Sequence, residues 1–218
     1  MRKFLKKITD PVLKKGLQLY YTKPRKYTYE GLEVLVHPDV FPPHLTFSTK
    51  ILLDFITPLE MEGKSVLELG CGCGILSLWA AKKGAFVTAT DINRKALEFL
   101  EAAAKKNGLD VEVCYSDLFE SLAGRHFEFI LINPPYYPKN AVNVKEKGWY
   151  CGEDFGYFEN LFQQLPIFGD RNNHTYMILS EDCDIGRIGK IAAKNGRSLS
   201  LCLTKTKMGE INFIYRID

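Results

Sequence analysis

The segment Asn133-Pro134-Pro135-Tyr136 combines residue types and a spacing that could do chemistry. Proline has a carbonyl but no N–H, so Pro134 and Pro135 offer hydrogen-bond acceptors only. Because Asn133 precedes a proline, its backbone is held extended, which helps to aim its side chain. The Asn133 amide oxygen and the Pro134 carbonyl could together receive one NH2 group, and Tyr136 adds an aromatic face for a planar group. The alternative is a simple Asn-Pro turn, which is common in loops.

A second candidate segment is glycine-rich and reads ELGCGCG over residues 68–74, directly after a short apolar run. Glycines permit a tight turn and let the backbone approach a ligand closely. The position that would hold the third glycine of a dinucleotide fingerprint is Ile75, which disfavours a nicotinamide-dependent oxidoreductase. A turn with a purely structural role is the other alternative.

Two aspartates stand where the next two predicted strands end. Asp91 comes about twenty residues after the glycine loop, at the sheet edge where open α/β sheets bind ligands, and could accept both hydroxyls of a ribose. Asn93 is the better helix cap there, which weakens a capping role for Asp91. Asp117 could accept from an adenine amine, or it could cap a short helix predicted after it.

Together these segments indicate transfer of a methyl group from a sulfonium to a nitrogen atom. The lone pair of an amide or aromatic amine is delocalised, and hydrogen bonds from its NH2 to fixed oxygen acceptors would localise electron density on nitrogen. The remaining work is positioning beside a group that loses positive charge. No strong general base is needed, since the product can shed its proton afterwards.

The surrounding sequence alternates short apolar runs with helical periodicity, which predicts an α/β fold with a mostly parallel sheet covered on both faces. The last two strands are joined too closely for a crossover and should pair antiparallel. The predicted strands span residues 65–69, 86–90, 111–115, 127–132, 175–179, 199–204 and 211–217. The predicted helices span residues 48–58, 75–83, 93–107, 118–123, 155–165 and 185–195, with Ser48 and Asn93 as caps.

Composition narrows the setting of this chain. The 218 residues carry a net charge of +3, but residues 1–26 hold nine Lys or Arg and only one acid. This basic segment predicts an amphipathic helix over residues 1–20 and is compatible with contact to RNA or a ribosome through residues 2–26, or with a solvated helix face. No signal peptide or membrane span is expected. The scattered cysteines suit a reducing cytoplasm, and the four histidines lack metal-ligand spacing. The oligomeric state is not defined.

With these motifs in place, the chain resembles class I, Rossmann-like methyltransferases of the methyltransferase small-domain group, and is most similar to release-factor glutamine methyltransferases. The similarity covers roughly residues 45–217 and is densest over residues 65–136. It implies S-adenosylmethionine as the cofactor and a seven-stranded sheet whose last strand is antiparallel. It implies that Asp91 holds the ribose, that Asp117 holds the adenine, and that Asn133, Pro134, Pro135 and Tyr136 hold the acceptor. The residues that it implies for the methionine part of the cofactor are Glu68, Gly70, Gly72 and Gly74.

Two features depart from that resemblance. Bacterial members usually carry a separate N-terminal helical domain, whereas here only an extension over residues 1–46 precedes the cofactor domain predicted for residues 47–218. The family's Arg-Pro-x-Thr-Glu signature is also missing, and Thr49 is the nearest equivalent threonine, which we predict to bind substrate. These departures leave the fold and cofactor as expected but not the substrate; the similarity of residues 117–136 to that family favours a protein glutamine amide as the acceptor, with an exocyclic amine of an RNA or DNA base as the alternative. A methyltransferase-like scaffold that only binds a partner is the alternative outside catalysis. One aromatic run could line a substrate pocket, although core packing is the favoured interpretation; it comprises Trp149, Tyr150, Phe155, Tyr157 and Phe158.

Overall fold

A computed structural model describes residues 22–44, 46–168 and 173–218 of this chain, with backbone only for 166–168. The helix predicted over residues 1–20 and most of the basic segment over residues 2–26 lie outside the described residues. In the described part, a hairpin of β1 (Arg25–Tyr29) and β2 (Leu32–Val36) precedes a larger sheet.

The larger sheet contains seven strands in the described residues. They are β3 (Ser65–Leu69), β4 (Phe86–Asp91), β5 (Glu112–Tyr115), β6 (Phe129–Ile132), β7 (His174–Ser180), β8 (Leu199–Lys207) and β9 (Glu210–Ile217). The accompanying helices are α1 (Ser48–Ile56), α2 (Ile75–Lys82), α3 (Arg94–Asn107), α4 (Val144–Lys147), α5 (Gly156–Phe168) and α6 (Ile185–Lys194).

The strand order is β5-β4-β3-β6-β7-β9-β8, and β9 alone among these strands runs antiparallel to its neighbours β7 and β8. The predicted fold class is confirmed: an α/β, doubly wound, mostly parallel seven-stranded sheet with an antiparallel last strand. The last strand is antiparallel because of the turn between β8 and β9. Met208 and Gly209 both have positive φ, +50° and +80°, which is the geometry of a two-residue hairpin turn and cannot make a crossover.

Each face of the sheet is covered by its own apolar layer. One layer joins α1, α2 and α3 to the β1–β2 hairpin, and the other lies beneath α5 and α6. The hairpin is fastened to α3 through Asn107, whose side chain donates to the Glu33 carbonyl at 2.9 Å and accepts from its N–H at 3.2 Å. The hairpin thus contributes to the same core as the large sheet, and the domain boundary between residues 46 and 47 stays a prediction.

Three local predictions were wrong. No helix forms over 118–123, because the Ser116 hydroxyl donates to the Leu118 carbonyl and accepts from the Ser121 N–H, which folds this stretch into turns. Ser48 is not the cap of α1 but its first residue, and the cap position is held by Phe47 without a side-chain hydrogen bond. The strand predicted from residue 127 begins only at Phe129. The Asn93 cap is confirmed, since its side chain accepts from the Lys95 N–H at 3.0 Å.

Candidate active site

A cavity of about 580 Å³ opens at the carboxyl ends of β3, β4 and β6. Within the sheet, β4 pairs with one edge of β3 and β5 follows beyond it, whereas β6 pairs with the opposite edge of β3. Open α/β sheets bind ligands at this point, where the strand order reverses. The volume is typical of a site for a small molecule or cofactor.

The glycine loop after β3 forms the floor of this cavity. Its first link to the sheet is the Cys71 N–H, which donates to the Thr90 carbonyl at 2.8 Å. Gly70 has φ +71°, and a Cβ built there would meet nothing within 4 Å, so its backbone faces open space. Gly74 differs, because a Cβ there would lie 2.3 Å from the Leu100 side chain. Gly70 and Gly72 line the cavity, whereas Gly74 allows the loop to pack against α3 and is not part of the lining.

Glu68 lines the cavity from within β3 and is buried. Its Oε2 accepts from the Ser77 N–H at 2.8 Å and also from the Ser77 hydroxyl. Burial raises the pKa of this carboxyl to about 8, the hydrogen bonds from Ser77 oppose the rise, and the charge of Asp91 adds to it. Glu68 is therefore easier to protonate than an exposed glutamate.

Asp91 lies at the end of β4, where the sequence analysis placed it. Its Oδ2 accepts from the Gly72 N–H and its Oδ1 from the Asn93 N–H, both at 2.8 Å. Burial raises the pKa of Asp91, and these backbone donors oppose the rise. Each carboxylate oxygen keeps a further lone pair, so Asp91 can hold the loop in place and still accept from a ligand diol.

Asp117 also lines the cavity, with an exposed side chain. Because no helix follows it, the capping role considered as its alternative does not apply. Its position beyond the β5 end puts a carboxylate one strand along from Asp91, and its contact with adenine stays a prediction.

The corner after β6 forms the opposite wall of the cavity, which Asn133, Pro134 and Pro135 line. The Asn133 side-chain N–H donates to the Thr49 hydroxyl at 3.4 Å. Thr49 is buried in the first turn of α1 and also lines the cavity. This bond leaves the Asn133 amide oxygen unused, so the threonine singled out from sequence meets the corner and orients it.

Tyr136 is not brought to the cavity. Its side chain is only 5% exposed, its ring lies 4.9 Å from that of Tyr137, and burial raises its pKa. The aromatic side chains that do line the cavity are those of Phe41, Tyr150 and Tyr157. A stacking role for Tyr136 is therefore not supported by its position.

The aromatic run divides between core and cavity. Phe155 and Phe158 are buried in the layer beneath α5, as expected for core residues. Tyr150 and Tyr157 line the cavity instead, which agrees with the alternative interpretation of this run rather than with the favoured one.

The segment 138–152 covers the cavity on the side of Asn133 and contributes several lining residues. Tyr137 and Tyr150 form a β-bridge, and the Cys151 N–H donates to the Tyr137 carbonyl at 2.9 Å.

Opposite the segment 138–152 lie residues 39–41, which follow β2 and line the cavity and which the sequence analysis did not single out. The Trp149 ring lies 4.5 Å from Phe41, and the Lys145 amine is 3.5 Å from an Asp39 carboxylate oxygen. No motif marks residues 39–41, since only the folded hairpin brings them over the glycine loop.

The thiols at this site are poor nucleophiles. Cys71 and Cys73 are buried, and burial raises the pKa of Cys71 and brings that of Cys73 to about 12. A thiol needs a lowered pKa to react, so packing within the loop is the role that fits Cys73.

Across the described ranges, no group of three or more His, Cys, Asp or Glu is arranged to hold a metal ion. None of the helices in those ranges has the length and apolarity to cross a bilayer.

The strand order, the glycine loop and Asp91 define a class I, Rossmann-like methyltransferase fold. The methyltransferase small domain matches residues 31–147, more than half of the chain, so the chain belongs to that family. The T. thermophilus 16S rRNA N2 G1207 methyltransferase in complex with AdoMet and guanosine has a TM-score of 0.63 and 18% identity to this chain, covering 89% of this chain and 50% of that one. The likeness at that identity concerns the fold.

Two relatives carry different names. A provisionally assigned protein N5-glutamine methyltransferase from Methanocaldococcus jannaschii is 37% identical over 110 residues, which are 50% of this chain and 53% of that protein. The ribosomal RNA small subunit methyltransferase C of Chromohalobacter salexigens is 31% identical over 144 residues, which are 65% of this chain and 40% of that protein. The chain thus matches about half of the length of the first relative and two fifths of the second.

S-adenosylmethionine is the cofactor of this family, and the cavity suits it. Gly70 leaves open space beside a positive-φ turn, which forms a cradle for a ligand. Asp91 and Asp117 present carboxylate oxygens to the same cavity, and acceptors of this kind match the hydroxyls and the amine of an adenosine.

Proposed function

We propose that this chain is an S-adenosylmethionine-dependent N-methyltransferase whose acceptor is the side-chain amide of a glutamine in a protein. The observation that carries the proposal is the hydrogen bond from Asn133 to Thr49 at the cavity wall. This bond would fix the Asn133 amide so that its oxygen, together with the Pro134 carbonyl, could receive the NH2 group of the acceptor. Two oxygens in fixed positions are a pre-organised receptor for one NH2 group.

The chain's own residues account for the chemistry that such a transfer needs. Asn133 and Pro134 would accept both N–H groups of the amide and so concentrate electron density on nitrogen, with its lone pair directed into the cavity. No histidine lines the cavity in the described residues. None is required, because the methylated nitrogen can lose its proton to water afterwards.

The cofactor would be held by residues on the opposite wall. Asp91 would accept from the ribose hydroxyls and Asp117 from the adenine amine, while Glu68 and the backbone of Gly70 and Gly72 would face the methionine part. When bound, the cofactor supplies a methyl group on a sulfonium whose positive charge is lost on transfer. Segment 138–152 would exclude water from the acceptor side, which strengthens every hydrogen bond within the cavity.

Two observations favour a protein acceptor. The M. jannaschii relative, which is 37% identical over 110 residues, is named for a protein glutamine substrate. The stretch from Asp117 to Tyr136 resembles the corresponding segment of release-factor glutamine methyltransferases. A second candidate acceptor is the exocyclic amine of a nucleobase in RNA. Lys145 and Lys147 are exposed at the cavity wall, and basic side chains at a cavity mouth suit a polyanion. The C. salexigens relative is named for an RNA substrate.

Incubating the purified protein with a cell extract and cofactor labelled in the methyl group tests the acceptor class. We expect the macromolecular label to survive nuclease and to be lost with protease, and mass spectrometry should place one added methyl group on a glutamine. Label that survives protease but not nuclease would identify the nucleobase as the acceptor instead.

The Asn133→Ala variant tests the corner in the same assay. Loss of an oriented acceptor should lower the rate of transfer by about 10²–10³-fold, while the dissociation constant for the cofactor changes little. Asn195→Ala, at the far end of α6, is the control and should transfer at the normal rate. Unchanged transfer by Asn133→Ala would refute its role, and an extract without label in the presence of bound cofactor would favour a binding scaffold.

A further inference from the structure

Glu68 is a buried carboxyl with both of its hydrogen bonds on one oxygen, an arrangement that simple contact with the cofactor would not require. It is only 4% exposed, and both donors of Ser77 converge on its Oε2. Its second oxygen, Oε1, is not used in either bond. Glu68 also lines the cavity, and a buried carboxyl at a cavity wall can change its charge when that cavity fills.

The groups around Glu68 are acidic or neutral. Its electrostatic neighbours are Asp91, Cys71 and Cys73. No Lys or Arg forms an ion pair with Glu68 or Asp91 within the described part of the chain. The charged residues elsewhere on the cavity wall are Asp39, Asp117, Lys145 and Lys147.

Of these cations, Lys145 already pairs with Asp39. The floor of the cavity therefore carries two carboxyls without a balancing cation in the described residues. The raised pKa of Glu68, about 8, agrees with this arrangement.

We propose that Glu68 discriminates the cationic cofactor from its neutral product by giving up its carboxyl proton when the cofactor binds and regaining one after the methyl group has left. Only the carboxyl O–H bond breaks, the proton goes to solvent, and no electron is transferred. Ser77 is a positioning residue in this scheme, because its two donors stabilise the ionised carboxyl. The inference rests on the cofactor part of the proposed function and is independent of the acceptor.

The proposal fixes the sign of the pH dependence. Because burial raises the pKa of Glu68 to about 8, binding of a cation beside it below that pH should release a proton. Affinity for the cofactor should therefore rise with pH, by up to about tenfold per unit, and level off above pH 8. Affinity for S-adenosylhomocysteine, which lacks the sulfonium charge, should change much less over the same range.

Calorimetry in buffers of different ionisation enthalpy counts the protons directly. Wild-type protein should release between about 0.5 and 1 proton per cofactor at pH 7 and few at pH 9.5. Glu68→Gln keeps an oxygen acceptor for Ser77 and should release close to none. Release that persists in Glu68→Gln, or cofactor binding by the wild type without release, would overturn the proposal. Absence of cofactor binding by the wild type would overturn the proposed function and this inference with it.

Ser77→Ala separates positioning from a merely structural role. Loss of the hydroxyl donor should raise the pKa of Glu68, so affinity for the cofactor should fall several-fold at pH 7.5 and recover above pH 9. Ser200→Ala is the matched control, since it also removes a serine–carboxylate hydrogen bond, to Asp218, on the edge strand β8. A loss in Ser77→Ala that is equal at every pH would contradict the proposal.

Discussion

The cavity has two walls that are built in different ways: the wall that we propose for the cofactor, here the cofactor side (Glu68, Gly70, Gly72 and Asp91), and the wall that we propose for the methyl acceptor, here the acceptor side (Thr49, Asn133 and Pro134). On the cofactor side, the contacts that fix the site join residues close in sequence, such as Gly72 with Asp91 and Glu68 with Ser77, at separations of 19 and 9 residues. On the acceptor side, Asn133 is oriented by Thr49, 84 residues away. The cofactor side can therefore form with one βαβ unit, whereas the acceptor side needs the assembled domain.

The two sides also differ in how they use polar groups. The cofactor side relies on backbone N–H groups that converge on the half-buried carboxylate of Asp91. The acceptor side relies on oxygen acceptors at the Asn133 corner and on a covering segment fastened by the contact between Phe41 and Trp149. Changes on the first side should thus affect cofactor affinity, and changes on the second should affect turnover or acceptor affinity.

After Asn133→Ala, the largest effect in this comparison is expected for Asp91→Ala. The variant removes the carboxylate that we propose for the ribose, together with its hydrogen bonds from Gly72 in the glycine loop and from Asn93 before α3, so cofactor affinity should fall by about 100-fold or more. Isothermal titration with the cofactor measures it. Asp117→Ala, with an exposed carboxylate on the same edge, is the comparison and should cost about tenfold or less. Equal losses in the two variants would mean that Asp91 contributes no more to cofactor affinity than an exposed carboxylate does.

Thr49→Val tests whether the acceptor side depends on the long-range bond to Asn133. The substitution keeps the shape of the side chain but removes its hydroxyl, so kcat should fall by about tenfold while cofactor affinity stays unchanged. Thr49→Ser retains the hydroxyl and should recover most of the rate. If valine and serine gave the same kcat in steady-state assays, Asn133 would not need this partner.

The smallest effect is expected for Trp149→Ala, which removes the ring contact between the covering segment and Phe41. Such a pair contributes about 0.5–1.5 kcal/mol, so KM for the acceptor should rise by about threefold with little change in cofactor affinity. Trp149→Phe keeps an aromatic ring there and serves as the control. A larger loss of cofactor affinity than of acceptor affinity would show that the two sides are not separate.

The sequence predicted most of what is local. The strand at residues 65–69 was placed correctly, and the positive φ of Gly70 follows from a tight turn that glycine adopts most easily. The antiparallel last strand could be predicted because the connection from β8 is too short for a crossover. The helix over 118–123 was wrong, since Ser116 hydrogen bonds compete with helical ones.

By itself, the sequence determined the fold class, the glycine loop and the carboxylates at the strand ends, because hydrophobic periodicity and backbone conformation depend on neighbouring residues. Only the tertiary structure decided that Gly74 packs on Leu100, that Tyr136 turns away from the cavity, and that residues 39–41 close over it. These outcomes depend on which side chains meet across the core. Close packing between elements distant in the chain is a property that no local pattern contains.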